Sequence, residues 1–504
     1  MERYVLAYDI GTSSLKAVAL DEEGSVAARS ASSYHVQHPR IRWAEQNPLS
    51  WWDAFIACTK ELLLRIPPSR IKAVSVCSQE MCTLPVDENG IGLYPAVIWA
   101  DSRAEAESAE IESAVGEDAY YRLVGMRASP NYPLSKILWM KKHLPDVYAS
   151  TYCFLNPKDY INHRLTGIFA TDPEAAAYMH CADVSTGKWS EQLLSSAGID
   201  ADKFPQILET GTVLGTVTAK ASELTGLCKE TLVVMGMGDG GAATLGTGIL
   251  NRNEGYTSLG TSSWVCIVSG SQRLDPQRRI SKIRYLDTLR DTGTMQTGGH
   301  SYKWFKEQFC AEERQHASLT GESSYEVIDR LAEASPPGSN GVFFMPYLMG
   351  ERSPYWNPHL SGGFLGLRAD TLKTDICRSV LEGVALHLNI ILEAIRETNQ
   401  IGDIRFMRLV GGGAKSTLWQ QIFADVYGLP VQTVANPEDA GALGMGVVAG
   451  KAAGIYPDYS VLESMQPVVS VIEPNEKRTA KYRQVFDTFK KLYPAYSVLS
   501  EIIG

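Results

Sequence analysis

Three short stretches set glycine beside a group that can do chemistry. The first holds Asp9, Gly11, Thr12, Ser13 and, a little further on, Lys16. A glycine turn exposes backbone N–H groups that suit phosphate oxygens, and the hydroxyls of Thr12 and Ser13 add donors. Asp9 beside bare phosphate would repel it, so the pattern makes sense with Mg²⁺ between the two. A hairpin with no ligand fits the same residues. The second stretch, Gly236 to Gly241, carries Asp239 among glycines and has the form G-x-G-x-x-G. A dinucleotide-binding turn is disfavoured. The motif is mid-chain, no second strand ending in an acid follows at the required distance, and Asp239 would face the pyrophosphate. Asp239 is then either a helix cap or a carboxylate at a loop tip that substrate can approach, the geometry of a general base. The third stretch is Gly411, Gly412, Gly413, Ala414, Lys415 and Ser416. It lacks the G-K-[ST] ending of a P-loop. Either a flat adenine approaches its bare backbone, or it is a plain strand-to-helix turn.

The elements around these stretches must hold them. Residues 3–10 read as a strand, broken by Gly-Thr-Ser-Ser and followed by a second strand. Helical spacing covers 48–65, a buried strand 71–77, and helices fall near 134–143, 157–165 and 189–197. The strand 231–235 leads into the Asp239 loop. Gly-Thr-Ser-Ser recurs at 260–263, again between two apolar runs, which points to an ancient duplication with a hairpin in each half. The boundary is set near residue 250, giving domains 1–250 and 251–504. In the second half, strands are expected at 342–345 and 404–410. Helices are expected over 371–398, 415–427, 438–452 and about 475–495. The small residues of 441–450 suggest close packing.

The 504 residues suffice for two large domains. Apolar residues make up 44% and charged residues 21%, a globular composition. With 47 Lys and Arg against 57 Asp and Glu the formal charge is −10, which argues against a nucleic-acid or membrane-surface binder. The nine cysteines form no C-x-x-C pair, which disfavours a disulfide framework or zinc knuckle and favours a reducing cytoplasm. The N-terminal residues do not read as a signal peptide, and no apolar run is long enough to span a bilayer.

Taken together these motifs resemble the FGGY family of carbohydrate kinases, within the actin, hexokinase and chaperone ATPase superfamily. YDIGTSSLKA is similar to its first phosphate motif, SLGTSS to its second, LVGGGAKS to its adenosine motif and DAGALGMG (439–446) to its second connecting segment. Residues 362–382 fit the family's C-terminal signature. Residues 131–143 fit the N-terminal one except at Asn131, where an aromatic, Met, Gly or Ser is usual. Within the family the sequences 43–52, 99–103 and 156–167 resemble xylulokinases. Two positions depart. Gln79-Glu80-Met81 stands where Gln-Met-His is usual, and Gly240 where Asn is usual.

The resemblance implies a fold of two ribonuclease H-like α/β domains with an ATP cleft between them. It implies ATP and Mg²⁺ as cofactors and a small carbohydrate as substrate, a ketopentose such as D-xylulose, with another sugar or polyol (ribulose, glycerol, erythritol or gluconate) as the alternative. Asp239 would take the proton of the sugar hydroxyl, and Asp9 would hold Mg²⁺. Gly11, Thr12, Ser13, Lys16, Gly260 and Thr261 would hold phosphates, and Gly412, Gly413, Ala414 and Ser416 the adenosine. Gln79, Glu80, Met81, Trp99, Asp101, Lys158 and Asp159 are candidates for the sugar pocket. Each has a plainer reading: Lys158 and Asp159 begin a helix, and Trp99 and Met81 suit a core. His300 is a weaker candidate. A homodimer is compatible with the resemblance. Two other classes compete: an ATPase that cycles without acceptor, and a nicotinamide-dependent oxidoreductase.

Overall fold

The computed structural model describes residues 2–503. Contacts divide the chain into two units. One comprises Met1–Leu250, Lys282–Leu289 and Asp439–Gln466; the other comprises Asn251–Ser281, Arg290–Glu438 and Pro467–Gly504.

In the first unit the strand Tyr4–Ile10 is packed on both faces, so its side chains serve two cores. Leu6, Tyr8 and Ile10 join a core with Trp51 and Phe55, and the Tyr8 and Phe55 rings lie 4.2 Å apart. Those two aromatics come from helix Pro48–Leu63, whose Asn47 cap accepts from Leu49 N at 3.0 Å and whose first residue is proline. Ala7 points to the other face and meets helix Ala440–Ala452, where a Cβ built on Gly446 would lie 3.6 Å from the Ala7 side chain. This helix arrives from late in the sequence, yet packs on strands Tyr4–Ile10 and Ile71–Ser78 and on helix Asp239–Gly246. Its small residues make the approach possible. A Cβ on Gly444 would fall 2.5 Å from Ala242 O, and one on Gly246 would fall 1.6 Å from Ala440 O.

The sheet of the first unit has six strands. Their order is Val213–Thr216, Leu232–Val234, Ile71–Ser78, Tyr4–Ile10, Ser14–Leu20 and Val26–Ser33. The three middle members from Leu232 to Ile10 are parallel, and the flanking ones antiparallel. The sheet of the second unit has seven strands, with Ser281–Tyr285 at one edge, and its other six repeat the pattern of directions. Val468–Ile472 pairs antiparallel with Val431–Val434, which runs parallel to Met407–Val410 and that to Gly255–Leu259. Ser263–Val268 and Thr288–Met295 then follow, each antiparallel to its neighbour. The repeated Gly-Thr-Ser-Ser therefore marks the same hairpin in two copies of one ribonuclease H-like sheet.

Helix Lys373–Asn399 runs through the core of the second unit with Val380, Leu381, Val384, Leu388, Ile391 and Ile395 buried, spacings of three and four that make one face. The last helix reaches further than the sequence pattern indicates, Glu476–Ile503. Among the described residues no helix is long and apolar enough to cross a membrane.

Candidate active site

In the first unit, three parallel strands end side by side, and their register decides what meets there. Asp9 is opposite Lys16 across the first hairpin and opposite Cys77 in the parallel neighbour. One residue on, Ser78 bridges to Gly238, just beyond the strand Leu232–Val234. Asp9 and Asp239 thus stand at the same edge of the sheet, on strands separated by Ile71–Ser78. Asp239 is exposed and is the first residue of helix Asp239–Gly246. The cap position is Gly238, which has no side chain to offer, so Asp239 is not the N-cap. Asp9 is half-buried. Burial raises its carboxyl above the usual range, and Lys16 and the Cys77 thiol pull it back. Helix Ala440–Ala452 presses on it from the side: a Cβ on Gly441 would lie 2.9 Å from Asp9 Oδ2.

Two buried glutamates crowd the glycines around Asp239. A Cβ on Gly238 would fall 1.7 Å from Glu80 Oε1, and one on Gly241 would fall 1.8 Å from Glu174 Oε2. The glycines of this loop are therefore required by carboxylates packed against its backbone. Glu80 comes from the candidate sugar segment. Glu174, from the short helix Pro173–Tyr178, carries no motif that marks it in the sequence.

The turn of the first hairpin is braced from several directions. Gly11 N donates to Ser14 O at 2.9 Å, and Tyr34 OH donates to Gly11 O at 2.6 Å. The Trp99 indole, 42% exposed, donates to Thr12 Oγ1 at 2.9 Å. Gln46 donates to Thr12 O at 2.7 Å and accepts from Gln79 at 2.7 Å and from Trp51 at 3.2 Å. Gln79 is buried, and its Oε1 has no hydrogen-bond partner within the protein. Gln46, absent from the sequence candidates, is what ties Gln79 and Trp51 to the turn. Ser13 and Lys16 are exposed.

The remaining sugar-pocket candidates are held inward. Asp101 is fully buried and gives both oxygens to Arg103, at 2.9 and 2.7 Å, with Ala44 N also donating at 2.6 Å. Lys158 and Asp159 are fully buried and bonded to each other, and Lys158 Nζ lies 2.8 Å from Asp172. Asp159 also closes the capping box of its helix on Asn156. Met81 takes a left-handed backbone, φ 60°, uncommon for a residue with a side chain. Its carbonyl accepts from Lys136 Nζ at 2.9 Å, and Ile98 O accepts from the same ammonium at 2.7 Å. Burial pushes the pKa of Lys136 down to about 7.

The second unit contains a cavity of about 1340 Å³. Its floor is the second hairpin, Gly260 and Thr261, fastened to the start of helix Gly299–Phe309 by Gly299 N to Gly260 O at 2.8 Å and His300 N to Thr261 O at 3.1 Å. One wall is the Gly412–Lys415 turn, which follows strand Met407–Val410. Gly411 there has φ 88°, and a Cβ on it would press on Leu259 O at 2.9 Å, so glycine is required. Gly412 borders open space, with no atom within 4 Å of a built Cβ. Ala414 turns inward, its carbonyl accepting from Gln420 at 2.8 Å. Ser416 caps helix Thr417–Tyr427 through Trp419 N at 3.0 Å.

These features fit the groups that the motifs imply. The cavity is large enough for a nucleoside, and bare glycine backbone forms part of its wall. Among the described residues no cluster of three or more metal-ligating side chains exists. Mg²⁺ is commonly held by one or two carboxylates, waters and a nucleotide's phosphates, and Asp9 at its strand end supplies one such carboxylate.

Comparison with known proteins agrees with this geometry. Residues 4–246 match the FGGY family of carbohydrate kinases, N-terminal domain, and residues 255–453 the C-terminal domain of the same family. The chain is 29% identical to a gluconokinase of Bacillus licheniformis, over 98% of this chain and 96% of that one. It is 28% identical to a xylulose kinase of Staphylococcus xylosus, over 97% and 99% of the two chains. Its fold matches the crystal structure of a gluconate kinase from Lactobacillus acidophilus with a TM-score of 0.92 and 24% identity, each chain covered completely. The chain belongs to the FGGY family of carbohydrate kinases, with a ribonuclease H-like sheet in each of its two units.

Proposed function

We propose that the protein transfers the γ-phosphoryl group of ATP to a hydroxyl of a small neutral carbohydrate, a ketopentose such as D-xylulose or a related polyol. The observation that carries this reading is Asp239: an exposed carboxylate, on a glycine loop, at the same sheet edge as Asp9 with one strand, Ile71–Ser78, between them. Asp239 accepts the proton of the attacking hydroxyl. Asp9 is placed to hold Mg²⁺, which supplies charge neutralisation on the phosphates when bound. Gly11, Thr12, Ser13 and Lys16 in residues 1–250, and Gly260 and Thr261 in 251–504, hold phosphates through backbone N–H groups, hydroxyls and one ammonium. Gly412, Gly413, Ala414 and Ser416 line the place of the adenosine.

Relatives that phosphorylate gluconate and xylulose are equally similar, so the pocket must argue the acceptor. Glu80 is buried against the Asp239 loop, and Met81 supplies neither a useful donor nor a strong acceptor. A carboxylate-bearing acceptor would meet like charge at Glu80, whereas hydroxyls would donate to it. Buried Gln79 Oε1 has no hydrogen-bond partner within the protein. A neutral, hydroxyl-rich substrate can donate to it and brings no like charge to Glu80.

Two measurements test the proposal. ADP release should require an acceptor and should favour D-xylulose or a neutral polyol over gluconate; gluconate as the best acceptor would refute the pocket argument. Asp239→Asn keeps the shape and removes the base, so turnover should fall about 10²- to 10⁴-fold while ATP still binds. Normal turnover in that variant would sink the assignment of Asp239.

A further inference from the structure

The cavity of the second unit is lined by several charged side chains, and most are already engaged. Asp425 accepts from Arg478 at 2.6 Å, from Asn475 N at 2.7 Å and from Gln421 at 3.1 Å. Arg378 donates to Glu382 and Tyr482, each at 2.7 Å. Glu326 closes the capping box on Ser323, and Arg330 donates to Glu322 at 3.0 Å.

Asp329 differs from these. It is half-buried on helix Ser324–Glu333 and faces the cavity. The hydroxyl of Tyr302, a residue only 3% exposed, donates to Asp329 Oδ1 at 2.6 Å. Tyr302 belongs to helix Gly299–Phe309, whose first turn holds the Gly260 hairpin. The Ser416 hydroxyl bonds to the same carboxylate, which makes Asp329 the link between that helix and the adenosine motif. Burial raises its carboxyl, and these two hydroxyls pull it back. An ionised carboxylate has about four acceptor positions, and the two hydroxyls occupy two. A half-buried carboxylate that lines a ligand cavity, oriented by two donors and with acceptor capacity to spare, can take a donor from the ligand.

We infer that Asp329 is the base-reading residue of the nucleotide site, accepting a hydrogen bond from the exocyclic amino group of adenine. The inference rests on the ATP-dependent reading above. The floor at Gly260 and Thr261 belongs to phosphate, and the bare Gly412–Gly413 wall offers a surface for the flat face of the base. Asp329, on another helix that lines the same cavity and linked to Ser416, offers the acceptor for the edge of that base. A base with a carbonyl oxygen at the same place would set acceptor against acceptor, so hypoxanthine should be rejected. Asparagine at this position can turn its NH₂ toward that oxygen and should admit it.

The test is equilibrium binding of ATP, ITP, GTP and 2′-deoxy-ATP to the full chain without sugar, by calorimetry. ATP should bind about 10- to 100-fold more tightly than ITP, the range for a hydrogen bond to a charged group. In Asp329→Asn the gap should close to about threefold or less, with the ratio of ATP to 2′-deoxy-ATP unchanged. Tyr302→Phe, which leaves the carboxylate but frees one of its anchors, should narrow the ATP–ITP gap only partly. It serves as the readout if Asp329→Asn does not fold. An unchanged ATP–ITP gap in both variants overturns the inference. So does a preference for GTP, or a collapse of the 2′-deoxy-ATP ratio instead, which would put Asp329 on the ribose. Tight, adenine-selective binding with no sugar phosphorylated would refute the kinase reading and leave Asp329 standing. Sugar phosphorylation with equal use of ATP and ITP would do the reverse.

Discussion

Lys136 offers a direct measure of what it takes to hold the Met81 turn. Its ammonium is fully buried, with two carbonyls, Met81 O and Ile98 O, as hydrogen-bond partners. Desolvation lowers its pKa from 10.5 to about 7; Cys82 and Asp101 favour the charge and Arg103 opposes it. The unfolded chain keeps the ordinary value, so between about pH 7 and 10.5 the unfolded state binds more protons and stability rises with pH. Each unit of pH should add up to about 1.4 kcal/mol, and the full window about 5 kcal/mol as an upper bound. Lys136→Met removes the titrating group while filling similar space. The stability difference, wild type minus variant, should therefore climb steadily from pH 7 to pH 9 and flatten below pH 7. Urea unfolding followed by Trp139 fluorescence, one turn along the same helix, reads the relevant unit. Losing both carbonyl bonds should also relax Met81 from its φ of 60° and raise the KM for sugar more than it lowers kcat. Parallel pH curves for the two proteins would refute the reasoning, because the ammonium would then be no more buried than in the unfolded chain.

Glu351 should show the opposite slope. Burial pushes its carboxyl up to about 8 and burial holds the adjacent His387 down at about 4, so His387 is neutral beside it over most of that range. The folded state keeps a proton that the unfolded state releases, and stability contributed here falls as pH rises from about 4.5 to about 8. Glu351→Gln keeps acceptor Oε1 for Gln296 N and Arg352 N and should flatten that fall in a melting-temperature series; an unaltered series would show that Glu351 is ionised in the fold. Gly441→Ala sets a methyl 2.9 Å from Asp9 Oδ2. It should raise the Mg²⁺ concentration for half-maximal activity about 10-fold with little change in melting temperature, and an unchanged Mg²⁺ requirement would remove Asp9 from the metal site.

How far the sequence reached can be judged from particular residues. The two hairpins are legible because strand, glycine turn and strand are local signals, and the long helices because their apolar spacing is local too. The duplication was suggested by four residues, and the sheets supply what four residues cannot, the same run of parallel and antiparallel neighbours around the hairpin in both units. The second sheet nevertheless has seven strands, and its outer strand Val468–Ile472 follows its neighbour in the chain where Val213–Thr216 precedes its own. What stayed hidden depends on chain segments far apart. Nothing near Lys136 says that Met81 O, 55 positions earlier, will be its partner. Nothing near Gly238 and Gly241 says that Glu80 and Glu174 will fill the place of their side chains. The acidic sugar candidates show the same limit from the other side: Asp101 and Asp159 have the right residue type in the right segment, yet their oxygens go to Arg103, Ala44, Lys158 and Asn156.

That division has a consequence for where specificity resides. A hairpin that binds phosphate through N–H groups needs only its turn, so a short motif can carry it between proteins with different substrates. The sugar pocket as proposed would draw on Gln46, the neighbours Gln79 and Glu80, and Trp99, from three separate stretches of chain tied to the first hairpin or to the Asp239 loop by single hydrogen bonds or close packing. Each such bond is worth on the order of 1 kcal/mol net, but an acceptor left unmatched costs more. Gln79 Oε1, buried with no partner in the protein, would reward a matching hydroxyl, and the charge of Glu80 would weigh against an acidic one. Replacing Glu80 with Met, the residue usual in xylulokinases, removes the acidic acceptor while Gly238 keeps the room. The variant should lose preference for polyols and gain tolerance of an acidic acceptor by about 10-fold in relative kcat/KM. If gluconate is rejected as strongly by Glu80→Met as by the parent protein, the discriminating charge lies elsewhere around the Asp239 loop, and Glu174 is the next carboxylate to neutralise.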